Sequence, residues 1–119
     1  MQRSIRGATT IAEDTKANVV SATIELLQEI LNQNSVEIDD IVNVIFTATT
    51  DISSGFPAVA ARELGLINVP LIDCQQMMCE DALELCIRVM LTYNTHKSQR
   101  DINHVYLHGA KVLRPDLLK

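Results

Sequence analysis

Cys86-Ile87-Arg88-Val89-Met90-Leu91-Thr92-Tyr93 is the stretch whose reading decides the fold. Leu85, Ile87, Val89, Leu91 and Tyr93 alternate with Cys86, Arg88, Met90 and Thr92, so an extended backbone sends one set to each face of a sheet. A helical stripe through Leu83, Ile87, Met90 and Leu91 competes with this reading, and Val89, Thr92 and Tyr93 favour the strand. Arg88 then stands mid-strand among apolar neighbours. Its guanidinium cannot shed its charge, so it calls for an anionic partner, and a substrate would serve.

Upstream, Glu80 to Leu85 opens with good helix formers, and Asp73-Cys74-Gln75-Gln76-Met77-Met78 fits neither period and reads as a loop after a brief strand, Val69 to Ile72. Pro57 to Leu64 is expected to be a short alanine-rich helix, capped by Ser54 and stopped by Gly65. Ile41 to Thr47 is β-branched and apolar on both faces, hence a central strand. Ala17, Val20, Ile24, Leu27 and Leu31 recur at helical spacing behind a cap at Asp14 or Thr15, and Asn32-Gln33-Asn34-Ser35 ends that long helix. Ser4 to Ile11 alternates as a strand with Arg6 opposite Ile5, and Gly7 marks a close approach.

Downstream, Asn94 to Asn103 is a polar connection with one helical turn, and His104 to Leu107 is a strand. Lys111 to Arg114 is expected to be a last short strand ended by Pro115, with a mobile tail from Asp116 to Lys119. Five or six strands and two or three helices in mixed order give an α+β domain, one mixed sheet covered by one long helix. The helix covers one face only, so the other is expected to meet further copies of the chain.

At 119 residues the chain is expected to form a single domain spanning residues 1–119, and its 47% of apolar residues include only four Phe and Tyr and no Trp. A net charge of −5 without any basic run argues against nucleic acid. No apolar run approaches the roughly 20 residues that span a bilayer, and the first six residues lack the apolar core of a signal peptide, so a cytoplasmic protein away from membranes is expected. Cys74, Cys79 and Cys86 follow no metal or disulfide spacing and read as reduced thiols.

Arg6, Arg88 and Arg114, each on an expected strand, and Tyr106 on another, would present three guanidinium groups and a phenol to one pocket, a set suited to carboxylates or phosphates. The competing reading pairs these arginines with surface acids. His104 and His108 lie four apart without a third ligand, so no metal is assigned. Cys74 beside Asp73 lacks a neighbouring histidine to activate it as a nucleophile. With no glycine-rich phosphate loop, no cofactor is expected.

Ile5-Arg6-Gly7-Ala8-Thr9-Thr10, Phe56-Pro57-Ala58, Ala61-Arg62-Glu63-Leu64, Cys86-Ile87-Arg88-Val89-Met90, His104-Val105-Tyr106-Leu107 and Val112-Leu113-Arg114-Pro115-Asp116-Leu117 together resemble the monofunctional bacterial chorismate mutases. The resemblance runs the length of the chain. It implies a homotrimeric pseudo-α/β barrel with sheets inside, helices outside and an active site at each interface. It also implies an isomerase that turns chorismate into prephenate, a step towards phenylalanine and tyrosine, without cofactor or covalent intermediate. Arg88 would donate to the breaking ether oxygen, Arg6 and Tyr106 would bind the side-chain carboxylate, Phe56, Ala58 and Arg62 would close the site from the neighbouring subunit, and Leu113 and Arg114 would belong to a tail that orders over the ligand.

The sequence departs from the family's pattern in the segment Ile72-Asp73-Cys74-Gln75-Gln76, which would line the site. Gln76 stands where the family usually has glutamate, Asp73 where it often has cysteine, and Val59 where it commonly has an entrance lysine. Asp73 is expected to supply the displaced carboxylate, bonding Arg88 and the substrate hydroxyl; the rival reading is a site that has lost its anion. Two other readings stand beside the mutase: an imine deaminase-like enzyme on a similar fold, and a catalytically weak trimeric module that binds metabolites.

Overall fold

The computed structural model describes residues 1–114, so Pro115 as a strand stop and the tail Asp116 to Lys119 lie outside the described residues. Five strands form one sheet: β1 (Gln2–Thr10), β2 (Ile41–Ala48), β3 (Leu71–Gln75), β4 (Cys86–Asn94) and β5 (Val105–Tyr106). Their order across the sheet is β3-β2-β4-β1-β5. The strand that decides the fold, β4, lies at its centre, antiparallel to both β1 and β2, while the outer pairs β2·β3 and β1·β5 are parallel. Two helices, α1 (Lys16–Asn34) and α2 (Pro57–Leu64), pack on one face.

Alternation along β4 works as its sequence requires. Ile87, Val89, Leu91 and Tyr93 are buried beneath the helices, whereas Arg88 and Met90 are exposed on the opposite face. Ile5 of β1 and Val44 and Phe46 of β2 join them, and Leu26, Leu27 and Ile30 of α1 close the core. Burying an aliphatic or aromatic side chain of this size contributes about 2 kcal/mol.

The buried face of α1 differs from the expected stripe. Val19, Thr23, Leu26, Leu27, Ile30 and Asn34 are buried, while Ala17 is exposed and Val20, Ile24 and Leu31 are only partly covered. Two polar residues occupy inward positions because their bonds are satisfied there. Thr23 donates its hydroxyl to the Val19 carbonyl, and the Asn34 amide bonds the Ile30 and Asn103 carbonyls. Thr15 caps α1 by accepting from the Asn18 N–H, and Ser35, in the left-handed conformation, ends it.

Four further expectations are corrected. Ser54 does not cap α2: Phe56 holds that position, and the Ser54 hydroxyl donates to Asp14 instead. Asp73, Cys74 and Gln75 extend strand β3 rather than forming a loop, since pairing with Phe46, Thr47 and Ala48 outweighs their weak strand propensity. Lys111 to Arg114 is no strand, because His108–Leu113 winds into a 3-10 helix that lays Ala110 against Ala8 and Cys86. Residues 80–85 make turns instead of a helix and end in Leu85 with a positive φ of 49°.

The face away from the helices carries Ile45, Met90 and Ile72 at 38%, 42% and 55% exposure. Ile72 pairs with Ile45 and Ile45 with Met90, so these side chains form one apolar row across three strands.

Candidate active site

The strand registers place the functional side chains. Arg88 is paired on one side with Thr47 and on the other with Ala8, and Ala8 is paired in turn with Tyr106. Arg88 and Tyr106 therefore stand in one row on the open face, with the small Ala8 between them. Two residues along, on the same face, Arg6 pairs with Met90. The 3-10 helix folds back beside them, so Arg6, Arg88, Tyr106, Leu113 and Arg114 line a single cavity of about 290 Å³.

No Asp or Glu among the described residues lines this cavity. Among the described residues, neither Arg6 nor Arg88 forms an ion pair. The competing reading, in which the arginines pair with surface acids, is not what the described residues show for Arg6 and Arg88. The Arg6 and Arg88 guanidinium groups, without counter-ions among the described residues, suit an anion with more than one carboxylate, each bound through paired N–H donors.

Thr47 also lines the cavity, and its hydroxyl is buried without a hydrogen-bond partner. Sequence reasoning missed it. Its one signal was its place in alternation with Ile45 on the central strand β2.

His104 and His108 do not share a strand face. His104 Nδ1 accepts the Arg6 backbone N–H at 2.9 Å, and His108 Nε2 lies 2.8 Å from Glu25 on α1. Burial, with Arg6 and Arg114 nearby, lowers the His104 pKa from its ordinary 6.5. Burial raises the Cys86 thiol, which leaves it a poor nucleophile.

The remaining predicted residues lie elsewhere on the chain. Phe56, Asp73, Cys74 and Gln75 line a second cavity of about 550 Å³, with Lys16 and Val59. Phe56 is 67% exposed. Ala58 is buried and Arg62 exposed on α2. Gln76 donates its backbone N–H to the Ala48 carbonyl, and its side-chain oxygen is buried without a partner.

Asp73 does not bond Arg88 within the chain. Its register partner Phe46 is buried beneath the helices, so Asp73 points to the helix face, while Arg88 projects from the open face. The Asp73 carboxylate instead accepts the Ala58 N–H at 3.0 Å. Its pKa is raised by burial against the opposing pull of that bond and of Arg62.

A mixed sheet that presents Arg6, Arg88 and Tyr106 around one cavity on its open face, with no acidic side chain among the described residues lining it, has the chemistry of a small-molecule site suited to an anion. The sequence profile of the family described as chorismate mutase type I matches residues 2–117, and the chain belongs to that family. It is 44% identical to the chorismate mutase AroH of Bacillus subtilis (strain 168), over 98% of this chain and 93% of that one. With the chorismate mutase AroH of Thermus thermophilus it shares 43% identity over 98% of this chain and 97% of that one. A solved chorismate mutase from Clostridium thermocellum superposes with a TM-score of 0.91 at 45% identity, covering 92% of this chain and 98% of that one.

Proposed function

We propose that this protein is a cytoplasmic isomerase that rearranges chorismate to prephenate, in the route to phenylalanine and tyrosine, at sites shared between the subunits of a homotrimer. The observation that carries this reading is the grouping of Arg6, Arg88 and Tyr106 around one cavity that holds no acidic side chain among the described residues.

The reaction is a unimolecular pericyclic shift, so the protein has no bond to make or break itself. Its task is to hold a flexible dicarboxylate in the folded shape from which the new bond forms and to stabilise charge that develops on the way. Arg6 and Tyr106 take the side-chain carboxylate. Arg88, fixed mid-strand by pairing on both sides, donates to the ether oxygen as it gains negative charge; one preorganised donor of this kind lowers the barrier by about 3 kcal/mol. Thr47, Arg88 and Ala8 belong to central strands, so the donor is held in place before the substrate arrives.

The homotrimer is supported by the exposed row of Ile72, Ile45 and Met90, which a neighbouring copy would cover. Phe56, Ala58 and Arg62 then close the site of the adjacent subunit, while Leu113 and Arg114 cover the chain's own cavity. Mixing two defective chains tests the shared site. Arg88→Ala and Arg62→Glu proteins, each weak alone, are co-refolded. Random mixing leaves about one quarter of the interfaces with both native residues, so activity returns. Failure of the mixture to exceed its parents contradicts a shared site.

A further inference from the structure

The 3-10 helix His108–Leu113 packs on the open face of the sheet and runs towards the arginine cavity, which Leu113 and Arg114 help to line. Helices of this kind form poor hydrogen bonds and are uncommon beyond three or four residues, so six in a row must be held from outside. Two side chains hold this one at its first turn. Thr10, on the same face of β1 as Arg6 and Ala8, accepts the Gly109 N–H on its hydroxyl oxygen at 3.0 Å. The Glu25 carboxylate on α1 lies 2.8 Å from His108 Nε2, and the His108 backbone is left-handed with a φ of 52°. A residue with a side chain adopts that conformation only where its surroundings impose it. The approach at Gly109 leaves no room for a side chain: a Cβ there would lie 2.8 Å from Thr10 Oγ1 and 3.2 Å from Thr10 Cγ2. Ala110 follows directly, fully buried against Ala8 and Cys86.

We propose that Thr10 is a positioning residue for the arginine cavity. Its hydroxyl, with Gly109 pressed against it, fixes the start of the 3-10 helix and so sets where Leu113, at the other end, stands beside Arg6 and Arg88. The inference rests on the reading that chorismate occupies this cavity. Thr10 is not among the described residues that line it, so Thr10 acts on the substrate through the helix alone. A segment held in place beforehand need not be ordered when the ligand arrives. Loosening it therefore weakens substrate capture and leaves the chemical step at Arg88 unchanged.

Thr10→Ala and Thr10→Ser differ from each other by the hydroxyl alone. Thr10→Ala is expected to raise KM about fivefold while kcat stays within about twofold, and Thr10→Ser to recover most of that loss, as for one hydrogen bond. Gly109→Ala is expected to raise KM to a similar extent by itself, but by less than about twofold in a Thr10→Ala background, where the atoms its Cβ would meet are gone. Independently of turnover, the Gly109 amide is expected to exchange with solvent about fivefold faster in Thr10→Ala, and the Leu113 methyl resonances to shift while those of Leu26 in the core stay in place. An unchanged KM in Thr10→Ala overturns the inference, as does a collapse of its kcat or a Gly109 amide that exchanges no faster. A native protein inert towards chorismate overturns the proposed reaction instead, and the Gly109 exchange rate and Leu113 resonances still report whether Thr10 fixes the helix.

Discussion

Arg6 donates its backbone N–H to Nδ1 of His104 over 2.9 Å, so an imidazole ring carries the β1·β5 ladder one step before β5 begins. The bond needs Nδ1 without a proton. Burial, then Arg6 and Arg114, lower the His104 pKa below 6.5, and all three favour that neutral ring. Because the folded value lies below the unfolded one, the stability His104 contributes is fully present above pH 6.5 and is lost as pH falls through the folded value. Melting curves between about pH 7.5 and pH 5 are expected to show a larger drop for the native protein than for His104→Ala. Equal drops would show that the ring carries no linked proton.

Gly7 has a different constraint. A Cβ there would lie 2.9 Å from Ile30 Cδ1, 3.1 Å from the Val105 carbonyl oxygen and 3.1 Å from Val89 Cγ1. The isoleucine tip can turn aside, but the β5 backbone cannot. Gly7→Ala is expected to destabilise by about 2 kcal/mol, by overpacking between sheet and helix, and to push β5 with Tyr106 away from Arg6. Denaturant unfolding measures the first effect, and a rise in KM larger than any fall in kcat reports the second.

Asn34 tethers the connection that leads into β5. Its amide donates to the Ile30 and Asn103 carbonyls, and its oxygen accepts the Asn103 N–H at 2.8 Å. The side chain is fully buried. Asn34→Ala leaves the Asn103 N–H and carbonyl without these partners and is expected to cost about 3 kcal/mol, seen as a lower unfolding midpoint in urea. A change below about 0.5 kcal/mol would mean that water replaces the amide.

Much of this architecture is written plainly in local patterns. Alternation in β4 and the Pro57 and Gly65 boundaries of α2 each depend on neighbours in sequence, and each was legible. What failed depends on distant partners. Asn34 looks like an outward residue until Asn103 is seen to satisfy it. Asp73 looks like a loop residue because its strand pairing comes from β2 and its hydrogen bond from α2. The same holds for the site. Arg6, Arg88 and Tyr106 were legible as strand residues in recognisable motifs, and the structure brings them to one cavity. The bond of the Asp73 carboxylate to the Ala58 N–H was not legible, because a count along the chain cannot say which face of a strand a residue takes.

In the proposed reaction Arg88, held between Thr47 and Ala8 on the open face, stabilises the departing ether oxygen. Chorismate depletion by purified native protein and by Arg88→Ala, followed through loss of the enol-pyruvyl absorbance, tests it most directly. Turnover by the native protein and a fall in kcat of about 10²-fold or more in the variant is the predicted result. A native protein that binds chorismate without consuming it, or an Arg88→Ala protein that turns over at the native rate, would contradict the account.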